Sequence, residues 1–402
     1  NFQTRKNRGE AKMSDWYLDF VDLNYKPDNN DLICLFRAEP ARGFSMKEVA
    51  GRVASESSVG TWTKLYRLPR RIKSLMARVF EIKGNWIKVA YPPELFEPGN
   101  MPQIFSSIAG NIFGMKALNN LRLEDVEWPK KIMKSFEGPQ FGIRGLRKKF
   151  KVHNRPLLAT VPKPKLGMAT AEYIKVAGQI WKGGMDFVKN DENMTSQNFV
   201  EFYETTRKIF ELRDKVERQT GEKKMYLPNV SAETKEMIKR AEFVAENEGE
   251  IVRNPRHGVS MLVVADASRL IGVDTIHIGG MGKLVSPAEE VYILKEEVEK
   301  RFIREHGHVL QENWYNIKPV FPVTSGGLHP GILPRLIKLL GKELILQVGG
   351  GVLGHPSGPL AGGRAVRQAV EATLHGIALK KYAKNHPELK QALELWGTKT
   401  PI

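Results

Sequence analysis

The chain has 402 residues, 41% of them hydrophobic, with a formal net charge of +17. That length allows two domains with a sizeable core, and the lack of any run of about eighteen apolar residues excludes a membrane-spanning helix. The basic balance points to anionic partners, phosphorylated substrates ahead of nucleic acid. Its lysines and arginines are spread along the chain, clustering only at Arg144–Lys151 and Lys380–Lys384, and no zinc-finger, RNA-recognition or GXXG pattern accompanies them.

Residues 1–15 read as a basic tail without an apolar signal core, and a domain is expected from Trp16. The single cysteine, Cys34, excludes an intrachain disulfide framework and a cysteine zinc site, and an intracellular, cytoplasmic setting is expected. Its place in the strand-like DLICLF predicts a buried, inert thiol. WYLDFVDLNY, LICLFRAEP and NWIKVAYP read as strands. FSMKEVAGRVASES reads as a helix capped by Ser45, with Glu48 completing a capping box, and PQIFSSIAGNIFGMKAL as another helix. Strands and helices do not alternate strictly over 16–150, so this part is expected to be an α+β domain.

From about residue 151 the rhythm changes to short apolar strands, each followed by a helical stretch. LLATVPKPK precedes TAEYIKVAGQIW, MDFVKNDE precedes a helix around NFVEFYETTRKIFELRDKVERQ, and KMYLPNV precedes ETKEMIKRAEFVAE. DTIHIGG, VFPVTSGG and ELILQVGGG follow in the same way. Repeated βα units with chemically active residues at strand ends predict a (β/α)8 barrel over 151–402, although only six such strands are found.

The strand ends carry distinct groups. Lys163 and Lys165 sit in VPKPK and share one face if that run is a strand. GGMDFVKNDEN places Lys189, Asp191 and Glu192 together. By itself this trio fits either a solvated charged loop or a hard-oxygen corner for Mg²⁺, the latter only if the lysine has become an oxygen donor as a carbamate. His277 ends DTIHIGG, where it fits a core histidine as well as a ligand. Lys283 follows on the glycine-rich GGMGKL, a candidate lid. Ser325-Gly326-Gly327 and Gly349-Gly350-Gly351 end the last two strands, where backbone N–H groups can cradle phosphate. Together these groups suit metal-assisted chemistry on a phosphorylated sugar.

The chain resembles the large subunit of ribulose-1,5-bisphosphate carboxylase/oxygenase (RuBisCO), most of all the archaeal-type form III enzymes. The resemblance runs from about Trp16 to Gly376 and rests on ESSVGTWT, AGNIFGMKAL, KPK, GGMDFVKNDEN, SGGLHPG and QVGGGVLGHP in the family order. It implies a ferredoxin-like N-terminal domain followed by the barrel. It also implies carboxylation of ribulose 1,5-bisphosphate by CO2 to two 3-phosphoglycerates, with O2 as competing substrate and nucleotide salvage as the source of the sugar. Lys189 corresponds to the lysine carbamylated by an activating CO2, which would hold Mg²⁺ with Asp191 and Glu192. Lys163 corresponds to the acid/base lysine, Lys165 to its assistant and Lys283 to the lid lysine. His277 and Ser325 would contact the bisphosphate, and Gly326, Gly327, Gly349 and Gly350 its phosphates. Glu56, Thr61, Trp62 and Asn111 resemble residues that reach the neighbouring subunit's site, so a homodimer or a ring of dimers is expected. A RuBisCO-like enolase or isomerase, and a shortened non-catalytic variant with RNA affinity, are the competing readings.

Two departures stand out. A family segment of roughly forty residues, with the fourth and fifth barrel strands and a His-x-His-Arg motif, has no counterpart between Glu248 and Arg253. Residues omitted from the sequence as written, a shortened variant, and completion by another chain are the open explanations. His257 is not expected to replace the lost histidine. The lid loop HIGGMGKL is also one residue shorter than the usual form.

Overall fold

The computed structural model describes residues 16–60, 68–245, 258–280 and 288–399. They form two compact units. The first takes the chain up to Pro139, the helix Met261–Ile271 and the segment Lys300–Lys318. The second takes the chain from Gln140, the stretch Asp274–Glu299 and everything described from Pro319 onward.

The first unit is built on an antiparallel sheet of β1 (Leu32–Pro40), β2 (Arg78–Lys83), β3 (Trp86–Tyr91) and β4 (Leu118–Glu127), in the order β2-β3-β1-β4. A two-residue strand, Gly258–Val259, extends it beside β4. Successive side chains of β1 alternate between faces, as strand geometry demands. Leu32, Cys34, Phe36 and Ala38 enter the main core, while Ile33 and Leu35 pack on the other face with Ala90 and Leu310. Cys34 is buried as expected, and burial pushes its thiol well up. The helix Met46–Glu56 lies on this core through Val49, Ala50, Val53 and Ala54. Its capping box is complete: Ser45 accepts from the Glu48 N–H, and Glu48 accepts from the Ser45 N–H at 2.8 Å.

Two sequence expectations fail here. WYLDF is a 3-10 helix, Trp16–Phe20, not a strand. Tyr17 and Phe20 are both buried, and their spacing of three matches the 3-10 repeat rather than strand alternation. Gly51 makes the contact possible, since a Cβ there would stand 2.5 Å from the Tyr17 carbonyl oxygen. PQIFSSIAGNIFGMKAL is not one helix either. The helix Met101–Ile108 stops, and a 3-10 turn, Asn111–Gly114, follows. Gly110 between them has φ −97 and ψ −121, and a Cβ there would lie 2.1 Å from the Ser106 carbonyl oxygen.

Among the described residues the second unit holds six parallel strands: β5 (Leu157–Thr160), β6 (Phe187–Lys189), β7 (Met225–Leu227), β8 (Thr275–His277), β9 (Phe321–Thr324) and β10 (Ile345–Gln347). Their order is β7-β6-β5-β10-β9-β8. This is the cyclic order of a (β/α)8 barrel with β10 rejoined to β5 and the ring open between β7 and β8, where the two family strands have no counterpart among the described residues. Leu157, Ala159, Phe187, Phe321, Val323 and Ile345 fill the interior with Ile143, Leu146 and Phe150 of the helix Gly142–Phe150. Leu158, Val188 and Leu346, next to them in sequence, are fully buried as well. Burial on both faces is why these strands read as unbroken apolar runs. Below β5 and β6, Asp186 accepts from both Arg155 guanidinium nitrogens at 2.6 and 2.8 Å and from the Leu158 N–H at 2.8 Å.

Candidate active site

Every site residue read from 151–402, and lying within the described residues, sits at or just beyond the C-terminal end of a barrel strand, the end where this architecture places its chemistry. After β5 the chain does not continue as a strand, contrary to the shared-face expectation for Lys163 and Lys165. Pro162 and Pro164 have no N–H to donate, so pairing ends at Thr160, whose hydroxyl turns to the Val348 carbonyl at 2.6 Å. Both lysines nevertheless reach the loop after β6. Lys163 Nζ donates to Asp191 Oδ2 at 2.7 Å, and Lys165 Nζ to Asn193 Oδ1 at 3.2 Å.

Lys189 closes β6, with its side chain 12% exposed and its Nζ bonded to Glu192 Oε1 and to the Asn190 carbonyl at 3.1 Å. Each carboxylate of the corner thus holds one lysine. Burial acts to raise the Asp191 carboxyl, but the Lys163 hydrogen bond, the Asn193 N–H and the lysine charges outweigh it and hold the group below its usual range. Glu192 is lowered in the same way, burial being overcome chiefly by Lys189.

On the other side of the strand row, His277 Nδ1 and Ser325 Oγ are 3.1 Å apart, joining the ends of β8 and β9. Thr324 Oγ1 donates to the Gly279 carbonyl at 2.8 Å, and a Cβ at Gly280 would lie 1.6 Å from the Ser325 carbonyl oxygen. The root of the glycine-rich loop is therefore seated on the β9 end. Gly326 and Gly327 have φ of 102 and 66, which side chains resist, so the turn depends on them. Gly349 abuts the other lysine cluster: a Cβ there would sit 3.9 Å from Lys163 Cε. Gly350 opens the short helix Gly350–Leu353.

Glu56 ends the helix Met46–Glu56 and Asn111 opens its 3-10 turn, both in the first unit. Thr61, Trp62, Lys283, His257 and the junction between Glu248 and Arg253 lie outside the described residues.

Among the described residues no three His, Cys, Asp or Glu side chains group to hold a metal. The corner offers two carboxylates and an amine. An ammonium is no ligand, but a carbamate on Lys189 would complete a set of hard oxygen donors suited to Mg²⁺. The residues present fit the ion on that condition.

Sequence reasoning passed over Asn190, whose Oδ1 accepts from Tyr173 and Tyr226 hydroxyls, both at 2.7 Å. It also passed over Asn229, whose Nδ2 donates to the Glu192 and Met194 carbonyls at 2.9 and 3.0 Å. For Asn190 the available signal was an amide side chain set between Lys189 and Asp191 at the end of a buried strand.

Comparison with known proteins matches both parts of the chain to one family. Residues 19–132 match the family described as ribulose bisphosphate carboxylase large chain, N-terminal domain. Residues 142–254 and 249–396 match the catalytic domain of the same large chain, in two stretches that meet where the family segment has no counterpart. The ribulose bisphosphate carboxylase of Pyrococcus abyssi is 45% identical over 429 aligned positions, covering 96% of this chain and 98% of that protein. The alignment is longer than the 402-residue chain, so the relative contains residues that have no partner here. The dimeric archaeal Rubisco of Hyperthermus butylicus superposes with a TM-score of 0.88 at 44% identity, covering 95% of this chain and all of that one (100%). The octameric enzyme of Pyrococcus horikoshii, solved with sulfate, superposes at 0.86 with 45% identity, covering 96% of this chain and 98% of that one.

Proposed function

The chain belongs to the ribulose bisphosphate carboxylase large-chain family, and from that membership we propose that it adds CO2 to ribulose 1,5-bisphosphate and releases two 3-phosphoglycerates. The observation that supports this reading most is the meeting of Lys163 and Lys165 with the Lys189–Asn193 loop at the open ends of neighbouring strands. Mg²⁺ held by carbamylated Lys189, Asp191 and Glu192 would polarise the sugar carbonyl and favour negative charge beside it.

The chain's own groups account for the rest. Lys163 exchanges protons with the sugar carbons, first in forming the enediolate and finally in protonating the product carbanion, and Lys165 keeps the site positive as it does so. CO2 bonds to C2 of the enediolate, water adds to the C3 ketone, and the C2–C3 bond then breaks. O2 attacks the same enediolate in competition. Ser325 and His277 hold the sugar, and the exposed N–H groups of Gly326, Gly327, Gly349 and Gly350 receive the phosphates. Lys283 orients the incoming CO2. The working unit is a homodimer or a ring of dimers.

The test is preincubation with bicarbonate and Mg²⁺, addition of ribulose 1,5-bisphosphate, and measurement of 3-phosphoglycerate with and without CO2. Two equivalents per bisphosphate, dependent on CO2, are expected. The count of six strands among the described residues favours one second reading, a shortened chain that keeps the corner and has lost turnover. No CO2-dependent product, with carbamate formation retained, selects that reading.

A further inference from the structure

Building on the carboxylase reading, we propose that Tyr173, Asn190 and Tyr226 are positioning residues, a buried lock that fixes the backbone carrying Lys189 and Asp191. Asn190 lies between those two residues in sequence, and at a strand end its side chain turns away from theirs. It is 3% exposed, and the two tyrosines 1% each. Asn190 Oδ1 accepts both hydroxyls at 2.7 Å, and the Asn190 N–H donates to the Leu227 carbonyl at 2.9 Å. Tyr173 comes from the helix Thr170–Lys182 and Tyr226 from β7. One carboxamide therefore ties the corner to two other elements.

The arrangement is not what simple filling of space would select. A buried amide and two buried hydroxyls cost free energy unless each is bonded, and apolar side chains of the same size avoid that requirement. What the polar set adds is a fixed direction and height for one short backbone segment. That segment needs fixing: Glu192, at its far end, has a side chain 57% exposed. A carbamate oxygen and two carboxylates must converge on one ion, and small errors in placement reduce metal affinity.

The experiment uses the full chain with ¹³CO2 and Mg²⁺ alone, reading the carbamate signal by NMR as Mg²⁺ is raised, with no sugar present. The Tyr173→Phe/Tyr226→Phe double variant and Asn190→Leu are expected to need about tenfold more Mg²⁺ for half-maximal carbamate, the equivalent of one ordinary hydrogen bond. Asn190→Asp, which keeps an acceptor for both hydroxyls, is expected to stay within about threefold of the parent. If the double variant does not fold, Tyr173→Phe alone is expected to shift the midpoint about threefold. Variants that lose only thermal stability while the Mg²⁺ midpoint stays put overturn the lock, as does Asn190→Asp failing as badly as Asn190→Leu. A parent protein with no carbamate signal at all instead defeats the carboxylase reading on which the lock rests.

Discussion

Lys163 and Lys189 each sit on a carboxylate, but they are placed for different work. Lys189 is nearly covered, while Lys163 keeps a side chain 40% exposed at the mouth of the strand ends. A proton-transfer group needs that access, so Lys163→Met is expected to lower CO2-dependent turnover by about 10²–10⁴-fold. The same variant has a second readout. With Lys163 present, the Asp191 carboxyl lies below its usual value, so it contributes stability above the unfolded aspartate range of about 3.9, and this is lost as pH falls through the lowered value. Removing the ammonium leaves burial opposed only by the Asn193 N–H and Lys165, and the carboxyl rises. Acid unfolding followed by circular dichroism should then begin at higher pH in Lys163→Met than in the parent. An unmoved acid limb would show that the pair contributes nothing to the folded state.

Among elements, the capping box and the strand ends were legible because their signals are local. Ser45→Ala removes the acceptor of the Glu48 N–H and is expected to cost about 1 kcal/mol in urea unfolding. Asp186 is a stricter case, since it serves Arg155 twice and the Leu158 N–H once, all buried. Asp186→Ala leaves a buried guanidinium unpaired, and a loss of about 3–5 kcal/mol is expected. A urea midpoint within error of the parent would contradict that. The six barrel strands could be counted from their apolar runs and polar ends, and the site residues followed from the same ends. WYLDF could not be settled, because five residues with two apolar contacts three apart fit a strand or a 3-10 turn until a packing partner is known. The direction of Lys163 and Lys165 was hidden because it depends on Asp191 and Asn193, 28 residues away. The role of Asn190 was hidden because its partners, Tyr173 and Tyr226, lie 17 and 36 residues away.

At the scale of the whole molecule, the residues that the family resemblance assigns to one site fall in both units, Glu56 and Asn111 in the first and Lys163, Lys189 and Ser325 in the second. Solved relatives assemble as dimers or octamers, and no described helix here is long and apolar enough to cross a membrane. If each site takes its Glu56 from one protomer and its Lys189 from the other, the two residues should complement in trans. Glu56→Gln and Lys189→Met are each expected to abolish turnover as pure variants. Co-expressed, they form mixed dimers in which one site receives both defects and the other receives neither. Random two-fold pairing makes half the dimers mixed, so about a quarter of parental turnover should return. Light scattering should give a multiple of the 45.4 kDa chain for parent and variants alike, which separates a broken site from a broken assembly. Return of activity only when both intact residues lie on one protomer would mean that each chain builds its site alone. Subunit sharing would then be wrong for this protein, while the metal corner would be untouched.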